Sequence, residues 1–193
     1  IRMEAHYFDI ETYSPGTKPD PKTDKIISIQ FQKIDLKTGD VIGKLQILKE
    51  WEETQYGHHN EVLINGEEEI VKFIYKWFFK RNPWQFVPLG FNLNFEWKFL
   101  CAKFKQYHLA DMNLGDFVEN MPQIDLKVLA VLKKGTFMGA SLSSISDKKD
   151  DGHVIKEYYE KKQYDKIEQY IIQETQSFID MYKKIKENIE NIL

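Results

Sequence analysis

The chain has 193 residues, 42% of them hydrophobic and 14% aromatic, and a net charge of −3. That composition excludes an intrinsically disordered chain and is enough for one domain, residues 1–193, with a sizeable core. The charge excludes a strongly basic coater of nucleic acid, so any such contact should be local, at a cleft where metal ions supply positive charge. The single cysteine, Cys101, excludes an internal disulfide, and its apolar helical setting points to a buried thiol rather than a nucleophile. No apolar run is long enough to span a bilayer and no signal peptide is visible, so the expectation is a soluble, cytoplasmic protein without membrane contact.

Residues 4–11 read as a first strand, and the Pro-, Gly- and Asp-rich segment from Ser14 to Asp24 as a loop. Lys25 to Asp35 reads as a second strand, with Ile27, Ile29 and Phe31 alternating against Ser28, Gln30 and Gln32. A tight turn at Lys37-Thr38-Gly39-Asp40 leads into a third strand from Val41 to Leu48, which completes an antiparallel meander. Residues 51–65 are polar and irregular, and the adjacent His58 and His59 read as loop residues rather than zinc ligands. Glu67 to Lys80 predicts a helix whose first-turn acids suit the helix dipole and whose apolar face holds Ile70, Ile74, Trp77 and Phe78.

Gln85 to Phe91 is a short apolar run after a helix, as expected of a strand added in parallel. Asn92 or Asn94 can then cap a helix from about Phe95 to Tyr107. Residues 109–124 are mixed, Asp125 to Lys133 reads as a helix, and Ser141 to Ile145 as a short one. Asp147 to Gly152 is a charged loop, read as solvated, and a long helix runs from about Tyr164 to Leu193. The order predicts an α/β fold, a mixed sheet flanked by helices with the first strand at its centre.

Three places carry chemistry. In a strand, residues i and i+2 share a face, so Tyr7, Asp9 and Glu11 lie together, and Phe8 and Ile10 lie opposite. Two neighbouring acids repel unless a cation sits between them, and hard divalent ions take oxygen ligands. Glu96 falls in the first turn of its helix, where it either complements the dipole or points back at the cleft. Tyr170 and Glu174, at i and i+4, share a helix face. Glu174 lies at the margin of the apolar stripe formed by Ile167, Ile171, Phe178, Tyr182, Ile185, Ile189 and Ile192. A carboxylate at that margin needs a partner. Tyr164 and Glu168 repeat the spacing, but Tyr164 reads as core and Glu168 as the opposite flank; Asp180 reads as solvated.

In that order, strand-Asp-x-Glu, then Gly-Phe-Asn-x-x-Phe-acid, then Tyr-x-x-x-acid on a late helix resembles the 3′–5′ exonucleases of the DnaQ-like, ribonuclease-H-like superfamily. The stretch Tyr7 to Gln30 resembles the proofreading exonuclease domain of family B DNA polymerases most closely. Gln123-Ile124-Asp125-Leu126 followed by Ala140 to Ile145 is similar to the region between the second and third motifs. The resemblance spans Tyr7 to Tyr182. It implies a ribonuclease-H-like fold and two divalent metal ions, Mg²⁺ or Mn²⁺. By motif, Asp9 would bridge both ions, Glu11 and Glu174 would bind the one that activates water, and Glu96 would hold the second through water. Tyr170 would orient the water, as in the family's tyrosine subgroup, since Gln169 stands where the histidine subgroup has its His. The implied reaction is hydrolysis of the last phosphodiester at a 3′ end, releasing a nucleoside 5′-monophosphate.

The residue chemistry agrees, because two metals supply an activated water and a stabilised leaving oxygen without Cys or His. Thr12, Phe91, Asn92 and Phe95 suit stacking on or bonding to single-stranded DNA or a frayed 3′ end, with RNA as an alternative strand. A replication or repair protein is the expected partner. The family pattern has Asp where this chain has Glu96 and Glu174, and Mg²⁺ tolerates distorted geometry poorly, so Mn²⁺ should support activity better. The competing reading is a weakened or inactive ribonuclease-H-like module that binds nucleic-acid ends or a protein.

Overall fold

The computed structural model describes residues 3–56, 61–63, 66–80, 82–146 and 152–189. His58, His59, most of the charged loop from Asp147 and the last four residues of the expected long helix lie outside the described residues. The strands are β1 (Ala5–Tyr13), β2 (Lys25–Ile34), β3 (Val41–Lys49), β4 (Thr54–Tyr56), β5 (Glu61–Leu63), β6 (Val87–Gly90) and β7 (Ile124–Asp125). The helices are α1 (Glu67–Ile74), α2 (Asn94–Gln106), α3 (Leu114–Asn120), α4 (Lys127–Lys134), α5 (His153–Glu160) and α6 (Tyr164–Ile189).

One sheet has the order β3-β2-β1-β6-β7, with the first three strands antiparallel and β6 and β7 added in parallel; β4 and β5 form a separate hairpin. This is the expected mixed sheet, with β1 third of five. The hairpin arises in the segment read as irregular.

Helices cover both faces of the sheet. Under one face, Phe8, Ile10, Ile29 and Phe31 pack on α1, α2 and α3 in an aromatic core. Phe8 stacks on Trp97 (ring centroids 5.6 Å apart) and Trp97 on Phe117 (4.9 Å). Over the other face lie α4, α5 and α6, whose contacts include Tyr7 with Phe178 and Ile27 with Ile167 and Ile171. Strand β2 is thus buried on both sides, and its polar residues Ser28, Gln30 and Gln32 are as buried as its apolar ones.

Several local elements differ from the sequence reading. The helix expected to Lys80 is α-helical only to Ile74 and continues as a π-helical turn, Tyr75–Phe79, closed by Lys80 N–H on the Tyr75 carbonyl. The wider turn serves a run of bulky rings. Phe78 stacks on Phe86 at 4.1 Å, while Phe79 meets the edge of Trp97 at 6.0 Å.

The first-turn acid Glu67 does more than complement the helix dipole. It is buried, pairs with the equally buried Lys103 at 3.1 Å, and accepts from Ile26 N–H and the Tyr107 hydroxyl, both at 2.6 Å. The mixed region contains α3, opened by a capping box in which Asn113 and Asp116 bond each other's backbone N–H. Cys101 is half-buried, and burial pushes its thiol up to about 11, which leaves it inert at neutral pH.

Candidate metal centre

Asp9 and Glu11 stand on the buried centre of β1, on the face covered by α6. Gln30 lies opposite Asp9 on β2, and its side-chain amide donates to Asp9 Oδ2 at 3.1 Å and to Glu11 Oε1 at 3.3 Å. Ser28 in turn donates to Gln30 Oε1 at 3.1 Å, which fixes the amide's orientation. The Tyr7 hydroxyl donates to Asp9 Oδ2 at 3.2 Å. Helix α6 brings Glu174 over the pair, and one carboxylate oxygen from each of Asp9, Glu11 and Glu174 lies within 4.8 Å of the others. Tyr170, one turn earlier, is buried and hydrogen-bonded to Glu174; burial, then Glu11 and Glu174, raise its phenol well above the ordinary value.

Glu96 reaches the same place from the first turn of α2. It is 4% exposed and hydrogen-bonded to Asp9. Burial, then the Asp9 charge, push its carboxyl well above the usual carboxylate range. Its Oε2 is buried without a hydrogen-bond partner among the described residues. Four carboxyl groups from three elements, one with an orphaned buried oxygen, make a donor set of hard oxygens. That set fits divalent cations such as Mg²⁺ or Mn²⁺.

The local backbone that places Glu96 differs from the expectation. Neither Asn92 nor Asn94 caps α2 with its side chain. Asn92 adopts the left-handed conformation (φ 64°), which Asn tolerates, and its side-chain oxygen accepts from Lys127 Nζ at 2.8 Å. The turn before α2 is held instead by Asp125, the last residue of β7, whose carboxylate accepts from Asn92 N–H (2.8 Å), Leu93 N–H (2.9 Å) and Lys127 N–H (2.9 Å). Asp125 was expected inside a helix, but pairing of β7 with β6 holds it at the strand end, where it ties the turn before α2 to the first residue of α4. Gly90 precedes this turn. A Cβ there would lie 2.5 Å from Leu93 Cδ2 and 3.0 Å from the Phe8 carbonyl, so the close approach of the turn to β1 requires glycine.

The residues expected to meet the strand divide between two cavities on either side of the carboxylates. Phe91 and Asn92 line one of about 270 Å³ together with Asp9, Glu174, Lys127 and Ser141. Thr12 and Phe95 line another of about 310 Å³ together with Glu11, His153 and Lys156. The rival pair lies elsewhere: Tyr164 stacks on Trp51 at 5.0 Å, and Glu168 pairs with Lys49 at 3.0 Å. Asp180 is exposed, as expected.

Sequence reasoning missed Gln30, Lys127, and α5 with its His153 and Lys156. The spacing of Ile155, Tyr158 and Tyr159 carries the signal for α5, and pairing Asp9 across the meander would have found Gln30.

A central antiparallel meander extended by parallel strands, covered by helices and closed by a long C-terminal one, is the ribonuclease-H-like fold. Solved structures of exonuclease I share it over nearly the whole chain. The zinc-bound E. coli ExoI–ssDNA complex superposes with a TM-score of 0.61 at 12% identity, covering 97% of this chain and 41% of that one. The ExoI/SSB-Ct complex gives 0.59 at 12%, covering 97% and 42%. The chain therefore spans about two fifths of the exonuclease I chains that it matches along its length. No protein-family model and no curated protein matches the sequence. Among the described residues, no helix is long and apolar enough to cross a membrane.

Proposed function

We propose that this chain is a metal-dependent 3′–5′ exonuclease acting on single-stranded DNA. One observation carries the reading: carboxylates from β1, α2 and α6 converge on one point of a ribonuclease-H-like sheet, with Tyr170 bonded to the last of them. Asp9, Glu11 and Glu174 would hold one ion, and Asp9 with Glu96 a second. When bound, the two ions supply an activated water and stabilise the leaving 3′ oxygen. Gln30 holds Asp9 and Glu11 side by side. The Tyr170 hydroxyl, protonated at neutral pH like any ordinary phenol, orients the water rather than abstracting its proton. Phe91 offers a ring, and Asn92 and Lys127 offer polar groups, to the terminal nucleotide in the cavity beside Asp9.

The motif order Asp-x-Glu with Tyr-x-x-x-acid resembles family B proofreading domains, but the structural likeness is to exonuclease I, and a proofreading role would need a polymerase partner. One of the similar structures is a complex of exonuclease I with ssDNA, which favours the same strand here.

The test is a single-stranded oligonucleotide labelled at its 5′ end, incubated with Mg²⁺ or Mn²⁺ beside Asp9→Ala. The expected result is a ladder shortening from the 3′ end that disappears in the variant and in EDTA. At matched low concentrations Mn²⁺ should act faster than Mg²⁺, since Glu96 and Glu174 reach one methylene further than Asp. Equal rates would sink that geometric argument. No ladder with either ion, on DNA or RNA, would leave a nucleic-acid-binding module instead.

A further inference from the structure

Helix α4 and the segment that follows it expose large apolar side chains. Phe137 is 78% exposed, Met138 82% and Leu132 73%. Phe137 and Met138 are adjacent in the chain, and large apolar side chains exposed close together mark a place of contact. The segment is also unusual in charge. Residues 126–146 hold three lysines (Lys127, Lys133 and Lys134) and no acidic residue, in a chain with 30 acids and a net charge of −3.

The tip has a defined shape. Gly135 ends α4 in the left-handed conformation (φ 72°) and bonds the Val131 carbonyl at 2.8 Å. Lys134 Nζ donates to the Gly139 carbonyl at 2.9 Å, Met138 N–H to Thr136 Oγ1 at 3.2 Å, and Ala140 N–H to the Phe137 carbonyl at 3.4 Å. Leu142 then anchors the segment in the core with Phe178. Ala140, Ser141 and Leu142 form part of the wall of the cavity that also holds Asp9 and Glu174. Phe137 is therefore one turn of chain from that wall.

We propose that this tip, with Phe137 at its end, is a landing surface for the single strand upstream of the nucleotide being removed. This rests on the exonuclease reading. A strand whose 3′ end reaches Asp9 must leave the cleft over one of its walls, and residues 126–146, which contribute Lys127, Ala140, Ser141 and Leu142 to this one, carry three lysines and no acidic residue. A polyanion is favoured there by charge, and an exposed ring offers a face on which any base stacks. The result is grip without sequence preference, and a preference for unpaired bases, because a base already paired and stacked in a duplex does not offer its face. Continuity with the cleft favours the strand over a peptide or a second copy of the chain as the occupant.

The experiment compares the full chain with Phe137→Ala, binding 5′-fluorescein oligothymidylates by fluorescence anisotropy with Ca²⁺ in place of Mg²⁺. Phe137 is exposed, so its removal leaves the core intact. The expected result is a loss of about tenfold in affinity for a dodecamer, with affinity for a trimer unchanged. Unchanged dodecamer affinity overturns the proposal. So does an equal loss for both lengths, which would place Phe137 at the terminal nucleotide. Sedimentation that finds a dimer in the parent and a monomer in the variant overturns it in favour of self-association. The shortening assay on the same samples separates the two readings. Binding that depends on Phe137 without shortening keeps the surface and sinks the nuclease; shortening with normal binding by Phe137→Ala does the reverse.

Discussion

Gln30 is a neutral residue with no reactive group, yet both central carboxylates depend on it. Its amide donates to both Asp9 and Glu11, and Ser28 fixes which end of that amide faces them. Groups behind a metal ligand set its orientation, and their loss typically costs 10–100-fold in affinity. Gln30→Leu keeps the volume and removes the donor. Mn²⁺ binding measured by calorimetry should weaken by about 10–100-fold, with the fold intact by circular dichroism. Unchanged Mn²⁺ affinity would show that the acids hold their own geometry. Asp125 acts on the backbone instead, satisfying three N–H groups at the turn that aims Glu96.

Helices α1 and α2 are joined by a charged contact inside an aromatic core. Glu67 and Lys103 are 8% and 3% exposed, and the carboxylate also satisfies Ile26 N–H at the edge of β2 and the Tyr107 hydroxyl. The pair therefore ties two helices to the strand that carries Gln30. Removing one partner leaves the other charge buried, which costs about 3–5 kcal/mol, more than the intact pair contributes. Glu67→Met should destabilise by about that amount in urea unfolding. Adding Lys103→Met should recover part of the loss, because no charge is then stranded. A double variant less stable than the single would mean that Gln106, to which Lys103 Nζ also donates at 3.2 Å, holds the lysine in place without Glu67. At the same scale, α6 runs about 39 Å, from the Lys49–Glu168 pair at one end past Glu174 to the Tyr182 bond with the Leu36 carbonyl. Its position is fixed on both sides of Glu174.

The stability of the molecule as a whole should depend on one buried histidine. His6 stacks on Phe86 at 4.7 Å, and burial, reinforced by Lys33, lowers its pKa from 6.5 to about 4. The unfolded chain takes up this proton near pH 6.5, while the folded chain refuses it until about 4. Between those values the unfolded state binds more protons, so stability rises with pH. The contribution is fully present above about pH 6.5 and is lost as pH falls toward 4, a change of about 3 kcal/mol in all. Chemical denaturation across that window should show a steeper fall for the parent than for His6→Leu. Parallel curves would place the acid sensitivity elsewhere.

The meander, the parallel strand and the long helix were legible because hydrophobic alternation and 3.6-residue periodicity are properties of contiguous chain. The four acids and Tyr170 were legible because their motifs are local. What local pattern could not express is contact between segments distant in sequence. Asp125 looked like a helix residue because its role is defined by β6, whose turn lies over thirty residues earlier. Gln30 looked like one polar residue among three because its partners sit on another strand. Glu67 looked like a first-turn acid that merely complements the helix dipole, because Lys103 faces it only once α1 and α2 pack. Local periodicity comes from backbone geometry and so is written into the sequence. The identity of a buried polar group's partner depends on which surfaces meet, and that is settled only when the sheet and its two helical layers close around them.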